Sequence, residues 1–167
     1  MPETFTCSRD RFTTLFSIAI VVLIVTVSAI SYIPLAKSGL VLPATGILLA
    51  NLTIIVGVML YLPLRYEVTA DAVTVKRLGP DVVIPAGDIV RVTHDDGASL
   101  RGSIRLGANG GLGGYVGLFT NKTLGRYRAY MTRKDRVVLL ETAQTIFVLS
   151  PDDPGRFVDA LKTPGTD

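Results

Sequence analysis

The chain has 167 residues, which suits one ordinary domain or a membrane segment followed by a smaller domain. Charged residues make up 19% and the mean hydropathy is +0.45, so disorder is excluded as the main state and the chain is too apolar for a typical soluble protein. The single cysteine and single histidine exclude an intramolecular disulfide and a multi-Cys or His-rich metal site.

Two long uncharged segments, residues 12–36 and 38–64, open the chain and are separated only by Lys37. A hydrocarbon core about 30 Å thick needs about 20 apolar residues in a helix. A domain of about 100 residues is too small to bury two such segments. We therefore predict a transmembrane hairpin with helices at about 12–34 and 41–63, in which Pro34 ends the first helix and Pro43 lies in the first turn of the second.

A signal peptide is the alternative interpretation of the first segment, with Val27-Ser28-Ala29 as a weak cleavage site. The length of the segment and the second span that follows it favour the hairpin. Positive charges flank the outer ends of the two spans, whereas the connecting loop has only Lys37: Arg9, Arg11, Arg65, Lys76 and Arg77. This asymmetry predicts the plasma (inner) membrane, with both termini and the polar domain in the cytoplasm.

Two polar residues, Asn51 and Thr53, lie near the middle of the second span. We predict that they form an interhelical polar contact with Ser28 or Thr26 on the first span. The alternative is a transport or relay position, since polar residues in membranes often mark function. Neither span contains an ionisable residue, which argues against an ion path.

After Leu64 the pattern changes to short alternating runs separated by turn residues, which is typical of an antiparallel sheet or barrel. Asp153 and Pro154 then suit the start of a short helix with Phe157, Val158 and Leu161 on one face. We therefore predict an α+β membrane protein: a short cytoplasmic segment at residues 1–11, the hairpin, a mostly antiparallel β-barrel of about seven strands with a C-terminal helix over residues 65–162, and a tail at 163–167.

Four stretches carry a family resemblance: the Gly-rich run Gly110–Gly117, the segments Gly125–Thr132 and Val137–Thr142, and Ser150-Pro151-Asp152-Asp153-Pro154 with Phe157. Together with the strand–helix layout they resemble a family of bacterial proteins with a pleckstrin-homology (PH)-like domain. The resemblance implies a small β-barrel, often joined to membrane spans, without catalytic activity and without defined ligand residues.

No constellation of catalytic residues can be assembled, so we predict that the protein is not an enzyme and has no cofactor and no bound metal. The Gly-rich segment Gly107–Gly117 lacks a Gly-Lys-Ser/Thr motif, which argues against nucleotide binding. We interpret it as a flexible or close-packed loop; a loop whose apolar residues enter the bilayer interface is the alternative. His94-Asp95-Asp96 is interpreted as a solvated loop and Cys7 as an incidental thiol.

The segment from Arg101 to Arg136 contains only one acidic residue, Asp135, against eight basic ones: Arg101, Arg105, Lys122, Arg126, Arg128, Arg133, Lys134 and Arg136. We predict that these residues contact anionic lipid headgroups beside the membrane. Ordinary solvated strand faces are the competing interpretation, and nucleic acid is the weakest partner. The alternative function is a protein-binding scaffold in a membrane complex, using the barrel groove or a sheet edge, with another membrane protein or a second copy as partner.

Overall fold

The computed structural model describes residues 2–8, 11–110 and 112–162. The expected tail at residues 163–167 and the flanking Arg9 lie outside these described residues. In chain order, a short strand precedes a helical hairpin, which is followed by two β-sheets and a C-terminal helix.

The hairpin consists of α1 (Arg11–Lys37) and α2 (Val41–Tyr61). Both helices are long and apolar enough to cross a membrane, with mean hydropathies of 2.5 and 2.1, and only 6% of each apolar window is buried. That exposure separates them from core helices of a soluble protein. Pro34 lies inside α1 rather than ending it, so the expected end of the first helix is corrected to Lys37. The helix continues because Ser38 N–H still donates to the carbonyl oxygen of Pro34 at 3.1 Å.

The first sheet has four antiparallel strands in the order β1 (Glu3–Thr6), β2 (Pro63–Val68), β3 (Ala72–Arg77) and β4 (Val82–Pro85). Strand β1 precedes α1 and pairs with β2, which follows α2; Phe5 is opposite Tyr66. The N-terminal segment is therefore part of the β domain. Both ends of the hairpin are attached to neighbouring strands of one sheet.

The second sheet has six strands in the order β5 (Ile89–Asp95), β9 (Val137–Thr142), β10 (Ile146–Leu149), β8 (Gly125–Met131), β7 (Tyr115–Asn121) and β6 (Ile104–Gly110). All neighbours are antiparallel except β10 and β8, which are parallel. The interpretation of Gly107–Gly117 as a loop is wrong, because most of this segment belongs to β6 and β7.

The prediction of a seven-stranded barrel is also corrected. The described part of the chain contains ten strands in two separate sheets, and the second sheet ends at β5 and β6 instead of closing. A closed barrel has no free edges, whereas this arrangement leaves them available.

Two hydrophobic cores hold the β domain together. The first is shared by both sheets and the C-terminal helix α3 (Pro154–Lys162), and its completely buried members include Tyr66, Val75, Leu149 and Phe157. The second contains alternate residues of the second sheet, such as Tyr127 and Val148, together with Leu100. Because neighbouring residues of a strand point to opposite faces, the second sheet has a core on each face.

The hydroxyl group of Tyr66 has hydrogen-bond partners although it is buried in the first core. It donates to the carbonyl oxygen of Tyr130 at 2.7 Å and accepts from Ser150 N–H at 3.1 Å. Burial raises the pKa of Tyr66, so the phenol stays neutral. Phe157 packs edge-on against the rings of Phe5 and Tyr66, at centroid distances of 5.0 and 6.1 Å.

The start of α3 follows the capping pattern expected from the sequence. The carboxylate of Asp153 accepts from Arg156 N–H at 3.0 Å, and Phe157 and Val158 are buried. The preceding residue, Asp152, joins the helix to the N-terminal strand: its carboxylate accepts from Thr6 Oγ1 at 2.5 Å and from Ser8 N–H at 2.8 Å. Desolvation opposes the effect, but these hydrogen bonds hold the pKa of Asp152 below its usual range.

Candidate functional site

The basic residues of the Arg101–Arg136 segment lie in four places. Arg126 and Arg128 are on β8, Lys122 is in the turn before it, and Arg133, Lys134 and Arg136 are in the turn after it. Arg101 and Arg105 belong to the approach to β6 and to β6 itself. The set is therefore spread along the second sheet, and β8 brings two of its members together.

Arg126 and Arg128 are exposed and project from the same face of β8 because they are two residues apart. Their cross-strand neighbours on β7 are Thr120 and Leu118. Both arginines line a cavity of about 520 Å³ that also includes Asp88. No residue in the described part of the chain forms an ion pair with either guanidinium. Their charge is thus available to an anion from outside.

In the turn between β8 and β9, unlike on β8, basic side chains have partners within the described chain. Arg133 forms a two-point ion pair with Asp135, with distances of 2.7 Å from Nε to Oδ1 and 2.5 Å from Nη2 to Oδ2. The hydrogen bonds from Arg133 hold the pKa of Asp135 below its usual range. Lys134 Nζ lies 4.1 Å from the centroid of the Tyr115 ring, within cation–π distance.

Arg105 shows why the basic set does not form one face. It is paired across the sheet with Phe119, whose ring belongs to the second core and stacks on Tyr127 at 5.7 Å. Arg126 and Arg128 alternate with Tyr127 and therefore project from the opposite face. A contact made by Arg126 and Arg128 is thus separated from Arg105 by the sheet.

The hairpin meets the β domain through close backbone approaches at glycines. Gly79 N–H donates to the carbonyl oxygen of Leu60 at 2.8 Å, and Gly113 N–H donates to Ser17 Oγ at 2.7 Å. Gly113 has φ +75°, and a Cβ at this position would collide with the side chain of Leu62. The glycines after β6 thus allow the domain to contact the end of α2.

An apolar cavity of about 380 Å³ lies at this junction, between α1, α2 and the chain around Leu112 and Gly113. A second cavity lies between α2 and the second sheet. Arg77, at the end of β3, lies over the rings of Tyr61 and Tyr130 at 5.4 and 5.6 Å. The sequence indicates Arg77 only as a charge flanking the second span, because its contact with the two rings depends on the tertiary approach of α2 and β8.

The polar residues of the hairpin have different partners. Asn51 Nδ2 donates to Ser28 Oγ at 2.8 Å and so bridges the two helices. Thr53 Oγ1 donates to the carbonyl oxygen of Leu49 at 2.8 Å, within its own helix. The expected three-residue contact is therefore reduced to the Asn51–Ser28 pair in the geometry observed.

The remaining polar residues considered for chemistry have structural contacts. The interpretation of His94-Asp95-Asp96 as a loop is wrong for His94 and Asp95, which are the last two residues of β5. The Asp95 carboxylate accepts from Gly97 N–H and Ser99 Oγ, each at 2.5 Å. Cys7 Sγ lies 3.3 Å from the carbonyl oxygen of Pro63. Among the residues that the structure describes, no group of three or more His, Cys, Asp or Glu side chains is arranged to hold a metal ion.

A family model described as a bacterial PH domain matches residues 64–164, well over half of the chain. This chain belongs to the bacterial PH domain family. The resemblance noted from the sequence is thereby confirmed. Comparison with curated proteins and with solved structures gave no match. PH domains are in general non-catalytic interaction modules that commonly bind lipids or proteins. Here the matched region begins directly after the second apolar helix.

Proposed function

We propose that this bacterial PH domain protein is a non-enzymatic, membrane-anchored interaction module whose cationic side chains contact anionic lipid headgroups. The observation that carries the proposal is the exposure of the helical hairpin. Only 6% of each apolar window is covered within the described chain. Water is a poor solvent for so large an apolar surface, whereas lipid tails are a good one.

The charge distribution favours a cytoplasmic β domain at the plasma (inner) membrane. Arg11 begins α1, and Arg65 and Arg77 follow α2, whereas Lys37, the last residue of α1, is the one basic residue at the other end of the hairpin. Positive residues near span ends favour the cytoplasmic side. Since β1 and β2 pair at the base of the hairpin, the whole domain belongs on the same side as both span ends.

The cationic contact is best supported at Arg126 and Arg128, which have no carboxylate partner in the described chain. Each basic residue near an anionic leaflet contributes about 1 kcal/mol, and this contribution falls off within about 8–10 Å at moderate salt. Arg133 contributes less, because Asp135 already neutralises it. We therefore place the main headgroup contact on the exposed face of β8.

The test uses the complete chain in lipid nanodiscs, with neutral lipid alone or with about 30% anionic lipid to represent a charged leaflet. Backbone hydrogen exchange is followed at β8 and its flanking turns at low and high salt. The proposal expects added protection in anionic discs at low salt and loss of that protection at high salt. Equal exchange in both lipids would contradict it.

Two double variants with the same change in net charge separate the effect of the β8 surface from a general effect of charge. Arg126→Glu with Arg128→Glu is expected to abolish the lipid-dependent protection. Arg91→Glu with Lys162→Glu changes the net charge equally at two other exposed positions and is expected to preserve it. If both pairs behave alike, the contact is a general charge effect and the β8 surface is not its origin.

A protein-binding scaffold is the second candidate, and the open edge at β6 supports it. The exposed fractions of Ile104 and Leu106 on this edge strand are 66% and 50%. An exposed edge can pair with a strand from another chain. In-cell cross-linking from β6 would then lose its product with Ile104→Lys and Leu106→Lys, and keep it with Arg126→Glu and Arg128→Glu.

A further inference from the structure

A crevice of about 580 Å³ separates α2 from the second sheet. This is within the range of about 300–1,000 Å³ that is common for small-molecule sites. Its helix wall is formed by Ile54, Gly57, Val58 and Tyr61, which share one face of α2 at helical spacing. Its opposite wall is formed by residues of β6, β7 and β8, among them Asn109 and Tyr130.

The crevice has an apolar end and a polar end. Ile54 and Val58 line the apolar end of the crevice. Arg77 and Tyr61 line the polar end, where α2 ends. Ile54 is seven residues before Tyr61, which places it about 10 Å further along the helix axis. If α2 spans a bilayer, the crevice runs from the headgroup region, where tyrosine is favoured, toward the acyl chains.

Arg77 has unused binding capacity at the polar end. Its guanidinium lies over the rings of Tyr61 and Tyr130, and its Nη2 donates to the carbonyl oxygen of Pro80. Its Nε is buried without a hydrogen-bond partner. Asp81 lies beside Arg77 and accepts from its backbone N–H at 3.3 Å, but the Asp81 carboxylate forms its ion pair with Lys76 at 2.8 Å. The guanidinium is therefore only partly compensated, and an anion beside it lowers the remaining cost of its burial.

We infer that this crevice binds one anionic phospholipid, with the phosphate against Arg77 and an acyl chain along Ile54 and Val58. Arginine suits phosphate because its planar N–H groups match the phosphate oxygens. The lining contains one cation and no carboxylate, so a headgroup with net negative charge is favoured over one with an ammonium group. The inference rests on the proposed function in one respect, since it requires α2 to lie in a bilayer.

This site is separate from the headgroup contact proposed on β8. Arg126 and Arg128 line a different cavity, with Asp88 and Gln144, and share no lining residue with the crevice. The β8 surface is exposed and would bind many headgroups weakly, whereas the crevice would hold one lipid against a wall of helix and a wall of sheet. The two contacts therefore differ in stoichiometry and in sensitivity to salt.

The test is native mass spectrometry of the complete 17.9 kDa chain in detergent, titrated with phosphatidylglycerol or with phosphatidylcholine. We expect a single phosphatidylglycerol adduct that forms at lower lipid concentration than the phosphatidylcholine adduct. Excess glycerol 3-phosphate is expected to leave the adduct in place, since it lacks the acyl chains. Equal binding of the two lipids, or displacement by glycerol 3-phosphate, would overturn the inference.

Two variants test the two ends of the crevice separately. Arg77→Gln is expected to weaken phosphatidylglycerol binding at least tenfold, because hydrogen bonds to a charged group are lost. Gly57→Leu leaves Arg77 in place and fills the apolar end; nothing lies within 4 Å of a Cβ added at Gly57, so the helix tolerates it. Gly46→Leu is the control on the same helix, also with open space around the added Cβ.

The outcomes separate this site from the β8 contact. Loss of the adduct in Arg77→Gln and Gly57→Leu, with retention in Gly46→Leu and in the Arg126→Gln, Arg128→Gln pair, supports the crevice. Loss in the Arg126→Gln, Arg128→Gln pair alone assigns the lipid to β8 and overturns the crevice. Failure of the β8 hydrogen-exchange test, with the adduct still dependent on Arg77, overturns the headgroup contact and leaves the crevice supported.

Discussion

The apolar side chains of the hairpin face outward, whereas those of the β domain face inward. Leu15, Leu23 and Leu42 in the helices have exposed fractions of 67, 62 and 87%, while Tyr66 and Val75 in the first core are completely buried. Both regions are rich in apolar residues, but the surface of the hairpin suits lipid and that of the β domain suits water. The comparison shows that hydropathy alone does not identify a core; the fold's ability to cover the residues does.

The two regions meet at small residues and single polar contacts. Gly79 approaches Leu60, Gly113 approaches Leu62, and Ser17 accepts a hydrogen bond from the Gly113 backbone. The β domain is thus held against the hairpin by backbone proximity. We therefore expect substitutions to lower the free energy of unfolding most in the β core, less at the junction and least in the hairpin.

The largest effect is expected in the β core. Phe157→Ala removes a completely buried ring that contacts Phe5 and Tyr66, and should lower the free energy of unfolding by about 3–5 kcal/mol. Denaturant unfolding in detergent, followed by the near-ultraviolet circular dichroism of tyrosine, measures this change. Val90→Ala, at a position 76% exposed, should change it by less than about 0.5 kcal/mol. Similar values for the two variants would contradict the assignment of Phe157 to the core.

The junction should respond next. Gly113→Ala combines a left-handed backbone with a collision against Leu62 and should cost about 2–4 kcal/mol. Gly102→Ala shares the left-handed backbone, with φ +70°, but has open space around the added Cβ, and should cost about 1–2 kcal/mol. The difference between the two unfolding free energies reports the close approach to Leu62, after any shift that its terminal methyl group can make. A lower cost for Gly113→Ala than for Gly102→Ala would contradict packing of the domain against Leu62.

The link between β1 and the start of α3 should depend on pH. The folded pKa of Asp152 is lowered, so its contribution is fully present above the unfolded value of about 4 and is lost as the pH falls through the folded pKa. Asp152→Asn should cost about 1 kcal/mol at neutral pH, because the partly exposed carboxylate is screened by water. Chemical unfolding at several pH values should show this difference shrinking below about pH 4. A constant difference would assign the cost to lost packing instead of charge.

The smallest effect is expected inside the hairpin. Asn51→Ala removes the hydrogen bond to Ser28 and should weaken helix–helix association by about 0.6 kcal/mol, the average for interhelical hydrogen bonds in membranes. Thr53→Ala is the matched control, since Thr53 bonds only within its own helix in the described contacts. Steric trapping or thermal unfolding in bicelles compares the two. A larger effect for Thr53→Ala would contradict the assigned interhelical contact.

Much of this fold could be predicted from particular residues, and the rest depended on contacts distant in sequence. The uncharged segments on either side of Lys37 predicted the helices, and Asp153-Pro154 predicted the start of α3. Strand β1 could not be predicted, because it has only four residues and its partner β2 lies on the far side of the hairpin in the sequence. Strands β6 and β7 were missed because glycine is depleted in strands and usually indicates a loop.

The candidate site was predictable to a similar degree. Alternation placed Arg126 and Arg128 on one face of β8, as the structure does. Pairing of Arg133 with Asp135 and the separation of Arg105 by the sheet required the register of the strands. The environment of Arg77 was not predictable, since Tyr61 and Tyr130 come from α2 and β8 and meet it only in the folded chain.

The most direct test of the central claim is the membrane topology of the hairpin. In a Cys7→Ser background, Ser38→Cys marks the connecting loop and Gln144→Cys marks an exposed turn of the β domain. A membrane-impermeant thiol reagent is applied to intact cells and to inverted membrane vesicles. We predict that the loop cysteine reacts only from outside and the β-domain cysteine only from the cytoplasmic side. Reaction of both cysteines from the same side would contradict a membrane-spanning hairpin.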